Sequence, residues 1–233
     1  MTTPFHRAAL IVGAGHGLSA ALARHLAREG MLVALAARDV GKIADVAEQI
    51  GAETFACDAT DPGAVRRLFA EVEARIGPPD LVVYNAGLRV RGALVELDPE
   101  ATREALMVNA FGGFLVAQQA AQRMLKKEAG AIFFTGASAS VKGYAKSAPF
   151  AMGKFALRGL AQSLARELGP HGIHVVHFVI DGGILGPHRV QDPQRPDALL
   201  DPEAIVDTYL HALRQPRSAW TWEFELRPWV EGF

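Results

Sequence analysis

The sequence predicts a doubly wound α/β protein, a parallel sheet with helices packed on both faces. Three observations carry that expectation. Short apolar runs alternate with longer helical patterns almost from end to end, as successive βαβ units do. A glycine-rich turn, Gly13-Ala14-Gly15-His16-Gly17, joins the first run to the first helical pattern. The length, 233 residues, suits one two-faced sheet, since α/β units of roughly 200–250 residues commonly form a single domain. Right-handed crossovers then give a three-layer sandwich whose ligand crevice lies at the carboxyl ends of the strands.

Taken in order, Ala8–Val12 is the first strand and Leu18–Glu29, rich in alanine and closed by Gly30, the first helix. Leu32–Ala36 is the second strand, followed by a helical segment from about Val40 to Ile50. Thr54–Cys57 is a short third strand. Pro62 then opens a helix reaching about Ile76, a position proline suits because its missing N–H would have no partner there. Leu81–Tyr84 is the fourth strand; Pro99 starts a long helical stretch to about Lys127, and Ala131–Thr135 is the fifth strand. A helix over Ala148–Leu168 leads to the sixth strand, His174–Val179. The segment Asp181–Asp201, rich in Pro, Asp, Gln and Arg, follows it and is expected to hang over the crevice as a lid. A last helix, Pro202–Leu213, precedes an edge strand at Thr221–Leu226.

Composition narrows the function. Half the residues are hydrophobic and 21% are charged, which is ordinary globular composition. A net charge of -1 without a basic run gives no electrostatic footprint for nucleic acid. The single cysteine, Cys57, cannot form an internal disulfide, which suits a reducing compartment. The opening residues lack the layout of a signal peptide, and no apolar stretch is long enough to cross a bilayer. The expected location is the cytoplasm, with no membrane partner. His171, His174 and His177 lie three apart, but on a strand that spacing alternates faces, so no metal site is expected.

The glycine turn is the first chemical signal. Glycines let the backbone turn tightly and approach a pyrophosphate, and the helix N-terminus presents free N–H groups to the anion. The whole chain, 1–233, therefore reads as a single dinucleotide-binding domain, with the turn from Gly13 to Gly17 and Leu18 at the phosphates. The second strand ends Ala36-Ala37-Arg38. An acidic residue there would bind the adenosine ribose, whereas an arginine accommodates a 2′-phosphate. Ala37 stands in the acid's place and Arg38 follows, which favours NADP(H) over NAD(H), with His16 near the phosphates.

At this point the sequence resembles the short-chain dehydrogenase/reductase family over roughly residues 7–228. The family's glycine turn is similar to Val12-Gly13-Ala14-Gly15-His16-Gly17-Leu18-Ser19. Its Asn-Asn-Ala-Gly stretch appears as Tyr84-Asn85-Ala86-Gly87. The resemblance implies that Asp58 contacts the adenine, that Asn85, Ala86 and Gly87 line the cofactor site, and that Asn109 supports a helix bend and a proton-relay water. Lys154 matches the lysine that holds the nicotinamide ribose and lowers the pKa of a catalytic tyrosine four places earlier. The resemblance also implies an oxidoreductase acting on a small molecule, and a homodimer or homotetramer.

The catalytic core departs from that pattern. Phe150 occupies the tyrosine's place and carries no hydroxyl. Thirteen places before it, where the family has serine, stands Ala137, with Ser138 next and Ser140 following. Ile180-Asp181 replaces the family's Pro-Gly after the sixth strand. Hydride transfer to a carbonyl needs a proton for the developing alkoxide, and Phe150 cannot supply it. Three explanations stand. Tyr144, on the loop before the helix, could donate, with Ser138 beside it. The substrate could be an imine or enone that needs no tyrosine proton, or the protein could bind NADP(H) without turnover, as a sensor or partner subunit. The tail holds all three tryptophans, Trp220, Trp222 and Trp229, and is expected to contribute to an oligomer contact because aromatic residues are enriched at interfaces.

Overall fold

A computed structural model describes residues 7–186 and 189–231. The first six residues, and Pro187 and His188 within the anticipated lid, lie outside the described residues. Seven strands form one parallel sheet in the order β3-β2-β1-β4-β5-β6-β7. They are β1 (Ala8–Val12), β2 (Leu32–Ala37), β3 (Glu53–Ala56), β4 (Leu81–Tyr84), β5 (Gly130–Thr135), β6 (Ile173–Ile180) and β7 (Glu223–Leu226). The order reverses between β1 and β4; β1 pairs in parallel with β2, Val12 opposite Ala36, and with β4, Val12 opposite Tyr84. In such a sheet this reversal opens the ligand crevice. The anticipated edge strand is present, two residues shorter at its start, and pairs with β6 alone.

Why the sheet is two-faced is written in its strands. Ala9 and Ile11 of β1 enter one apolar cluster with helices α1 (Leu18–Arg28), α2 (Ala44–Ile50) and α7 (Pro202–Arg214). Leu10 and Val12 enter the other, with α3 (Pro62–Ile76), α5 (Gly112–Met124) and α6 (Ala148–Leu168). Successive side chains alternate across the sheet, so a strand apolar at every position can only be covered on both sides. Aspartates at N-caps fix where helices begin. Asp61 accepts from the N–H groups of Gly63 and Ala64, Asp98 from those of Glu100 and Ala101 at α4 (Pro99–Leu106), and Asp201 from that of Glu203 at α7, each ahead of a proline. Such caps satisfy N–H groups that have no partner inside the helix.

The long helical stretch from Pro99 is not one helix. It breaks at Met107–Phe111 into a π-helical turn between α4 and α5. The Tyr84 hydroxyl donates to the carbonyl of Val108 inside that turn. Val40–Ile43 is likewise a 3-10 turn, capped by the Asp39 carboxylate on Gly41 N–H at 3.1 Å, ahead of a shorter α2. No helix among the described residues is long and apolar enough to cross a membrane.

Candidate active site

Three adjoining recesses lie along the carboxyl edge of the sheet. The first, about 370 Å³, is bordered by Gly13, Ala14, Gly15, His16, Arg38, Asp58, Asn85, Ala86 and Gly87, so it gathers most of the residues expected to bind a cofactor. Gly13 has φ +83°, and a Cβ there would lie 2.3 Å from the Ala86 nitrogen. Only glycine lets the β1 turn and the β4 end approach so closely. Asn85 fastens the same junction, its Nδ2 donating to Ser19 Oγ at 2.7 Å. Gly15 faces open space, where an added Cβ would touch nothing. Gly17 caps α1 with no side-chain hydrogen bond, which leaves first-turn N–H groups for an anion. These features fit a dinucleotide pyrophosphate.

The edge of this cleft carries the expected cation and one that sequence reasoning missed. Arg38 is exposed, 3.9 Å from Glu104, and Lys42 also lines the cleft, 3.6 Å from Asp39. Asp39 also borders the cleft, and its carboxylate caps the following turn by accepting from Gly41 N–H. His16 stands 3.8 Å from Asp45. Asp58 binds Thr60 N–H and Oγ1 through one oxygen, at 2.9 and 2.8 Å. Cys57 also lines the cleft, but burial, with Asp58 and Asp61 beside it, pushes its thiol up to about 11, which leaves it protonated and unreactive.

Gly17 and Leu18 border instead a second recess, with Ile184, Leu185, Gly186 and Arg189 of the 181–201 segment across from them. The Leu18 side chain itself is buried in the core, so only its backbone can meet a ligand. The 181–201 segment folds back on itself, Leu200 N–H donating to the Gly183 carbonyl at 2.7 Å and Leu185 N–H to the Leu200 carbonyl at 2.9 Å. Its residues wall both this recess and the third.

The third recess, about 310 Å³, brings together Ser138, Tyr144 and Phe150 with Arg89, Arg91, Asp181 and Arg189. Lys154 lies behind Phe150, its Nζ 5.9 Å from the ring centroid and donating to the Thr135 carbonyl at 2.8 Å. Burial, then the charge of Arg89, lowers its pKa to about 8. Asn109 is fully buried in the π turn; its Nδ2 donates to the Leu88 carbonyl at 2.7 Å and its Oδ1 accepts from Leu88 N–H at 3.1 Å. It thereby ties the loop after β4 to the helix bend. A Cβ on Gly153 would lie 2.5 Å from Asn109 Cβ, and one on Gly87 3.7 Å from Lys154 Nζ. The glycines let these groups come together.

The structure sorts the hydroxyls. Tyr84 and Tyr209 are buried, committed to Val108 and to Thr135 Oγ1, while Tyr144 is half exposed at the third recess. Ser140 is fully buried and accepts from Ala137 N–H at 3.1 Å, which leaves Ser138 and the buried Ser147 as the serines at the cavity. Asp181, in place of the family's Pro-Gly, is buried. Burial alone would raise its pKa, but hydrogen bonds from Lys142, at 2.8 Å, and Ser138, with the charge of Arg227 at 3.1 Å, hold it below the usual carboxylate range. It is therefore an ionised anchor and no proton donor. His177 is buried against Glu223, which Arg158 grips with two bonds at 2.6 and 2.7 Å; burial lowers the imidazole to about 4, so it is neutral.

Known proteins share this frame. The chain is 36% identical over 167 residues to a 3-oxoacyl-acyl-carrier-protein reductase of Mycobacterium avium, covering 72% of this chain and 63% of that protein. It thus spans less than two thirds of that relative's length. The solved short-chain dehydrogenase from Rhodopseudomonas palustris superposes with a TM-score of 0.83 at 32% identity, covering 97% of this chain and 100% of that one. An alcohol dehydrogenase from Thermococcus sibiricus, complexed with 5-hydroxy-NADP, gives 0.86 at 26% identity, covering 97% and 98%. The family model described as short chain dehydrogenase matches residues 7–192, so the chain belongs to the short-chain dehydrogenase family.

Proposed function

We propose that the chain is an NADP(H)-dependent oxidoreductase acting on a small organic substrate, a carbonyl, imine or enone, without the family's tyrosine acid. The observation that carries this is the chain of shared walls. Gly15 and Asn85 border both the backbone-lined cleft and the recess beside the glycine turn, Arg189 borders that recess and the side-chain-lined cavity, and Gly87 of the cleft sits against Asn109 and Lys154. In this reading Gly13, Gly15, Gly17 and the first N–H groups of α1 hold the pyrophosphate, Arg38 with Lys42 takes the 2′-phosphate, and Asp58 meets the adenine. Lys154 holds the ribose beside the nicotinamide. The bound cofactor supplies or accepts the hydride. Ser138 orients the substrate oxygen or nitrogen, and Tyr144, the tyrosine whose hydroxyl borders the cavity, delivers the proton. An NADP-type ligand in the Thermococcus neighbour supports the cofactor choice. We further propose a single domain that assembles as a homo-oligomer.

Titration of intrinsic fluorescence with NADPH and NADH tests the cofactor reading. A charge-assisted contact to the 2′-phosphate is typically worth about 1.5–3 kcal/mol, so NADPH is expected to bind roughly tenfold tighter or more. Equal or tighter NADH binding would refute it. Tyr144→Phe is expected to abolish turnover with cofactor affinity unchanged. Retained turnover in that variant would assign the proton to Ser138 or water, and failure of the wild type to oxidise NADPH with carbonyls, imines or enones would leave a binding protein.

A further inference from the structure

The cavity over Phe150 carries more cations than anions among the described residues. Arg89 and Arg91 rise from the loop after β4, and Arg189 comes down from the segment after β6. The Arg89 guanidinium lies 4.7 Å above the Phe150 ring, a cation–π seat that fixes it at the cavity wall. Arg189 crosses Gly183 so closely that a Cβ there would stand 2.7 Å from its Nη1. None of the three takes part in an ion pair among the described residues. Burial, then the charges of Arg91 and Arg189, lowers the pKa of Arg89, as unrelieved repulsion between like charges does. Two acids border the cavity. Asp181 is already bound by Lys142 and Arg227, which leaves Glu231 alone against three arginines and the buried Lys154.

A fold keeps like charges this close only where a ligand or strong solvation relieves them. Guanidinium groups bind carboxylates as planar forks with two parallel hydrogen bonds. Binding sites span roughly 300–1,000 Å³, and this cavity is at the small end. We propose that the substrate is a small oxo acid, its carboxylate held by Arg89 and Arg91 with Arg189 closing over it. The reacting carbon is thereby directed toward Ser138 and Lys154. The proposal rests on the reading of the neighbouring cleft as the site of a nicotinamide cofactor. Arg189 also borders the recess beside the glycine turn, so it alone of the three can sense both ligands.

Equilibrium binding tests this without turnover. The full-length protein, alone and saturated with NADP⁺, is titrated calorimetrically with 4-oxopentanoate and with its methyl ester, then with the 2- and 3-oxo acids of similar size and their esters. At least one acid is expected to bind roughly tenfold or more tightly than its ester, and to weaken as salt screens the pair. Arg89→Gln and Arg91→Gln should each remove most of that preference, leave the ester unchanged and leave NADP⁺ affinity unchanged. Arg89→Lys should restore part of it, which guards against a merely misfolded variant. Acids and esters binding alike, or no acid binding at all, overturns the proposal while NADP⁺ binding still upholds the cofactor reading. Acid binding that depends on Arg89 in a protein without affinity for NADP⁺ or NAD⁺ would instead sustain the carboxylate site and sink the cofactor reading.

Discussion

The two ends of the crevice recognise ligands by different means. Around the glycine turn the wall is mostly backbone and small side chains, and its charged groups are paired or balanced: His16 with Asp45, Lys42 with Asp39, Arg38 near Glu104. Over Phe150 the wall is side chains from three separate loops, with cations in excess. Backbone recognition needs only a local geometry, which a few glycines supply. Side-chain recognition depends on loops that can change without disturbing the sheet. In the reading proposed above, the glycine-turn end stays near the family's pattern, while at the cavity end position 150 carries a ring without a hydroxyl and Ile180-Asp181, with its buried carboxylate, stands where the resemblance implies Pro-Gly.

Phe150→Tyr is the largest expected break in that contrast. Residues 150 and 154 are one helical turn apart and share a face, and the ring borders the cavity between Arg89 and Lys154. A hydroxyl added there meets two cations, which favour phenolate and so lower its pKa. A positioned acid typically contributes about 10²–10⁴ in rate, so reduction of simple neutral ketones with NADPH should rise about 10²-fold, with Ala137→Ser added if Ser138 does not align. Steady-state kinetics on a ketone panel checks this. Unchanged rates with cofactor bound would mean that the exchange at position 150 is not what limits ordinary ketones.

Next in size is Gly13→Ala at the dinucleotide end. A left-handed backbone costs a β-carbon residue of order 1–3 kcal/mol, and here the new Cβ also meets the Ala86 backbone. A loss of about 3 kcal/mol in denaturant unfolding is expected, with cofactor affinity down at least tenfold. Gly51→Ala is the control: φ is +66° but nothing lies within 4 Å, so about 1 kcal/mol should be lost and cofactor binding kept. Equal effects at both glycines would show that strain alone, and not the closeness of the two loops, governs the turn.

How much of this was legible in the sequence follows the same division. Ala148–Leu168 is bounded in the structure as expected because Ser147-Ala148-Pro149 before it and Gly169-Pro170 after it are local signals. The glycine turn was equally readable. Periodicity did not show the π turn, although the resemblance implied a bend at Asn109, because Met107–Phe111 continues a helical pattern and the groups that bond to it, the Tyr84 hydroxyl and the Leu88 backbone, come from β4 and its loop. Nor could spacing show Arg89 and Asp181 bordering one cavity, with Lys142 and Arg227 bound to the Asp181 carboxylate, since they lie dozens of residues apart. In the tail, expected to contribute to an oligomer contact, Trp220 stacks on His174 at 4.5 Å and Trp222 lies beneath Arg158 within the same chain. Only Trp229 of the three is strongly exposed. Aromatic content marks where a chain packs, not against which copy.

The smallest expected effect lies where the two ends meet, at Lys154, and it has a sign of its own. The ammonium is buried in the fold, donating to the Thr135 carbonyl, and its pKa is lowered to about 8 by burial and Arg89. Between about pH 8 and the ordinary lysine value near 10.4, the unfolded chain binds more protons at this residue than the folded one, so stability rises with pH across that window. Below it the full penalty is present. Lys154→Met keeps the stem's volume and removes the charge, at the cost of leaving the Thr135 carbonyl without its donor, so a net gain of about 1–2 kcal/mol is expected at pH 7. That gain should shrink toward pH 10, and cofactor affinity should fall because the ribose contact is lost. Denaturant unfolding of both proteins from pH 6 to 10, without cofactor, checks it. A variant less stable than the wild type at pH 7, or a difference that does not change with pH, would show that Lys154 is comfortably solvated and that its burial is no concession to cofactor binding.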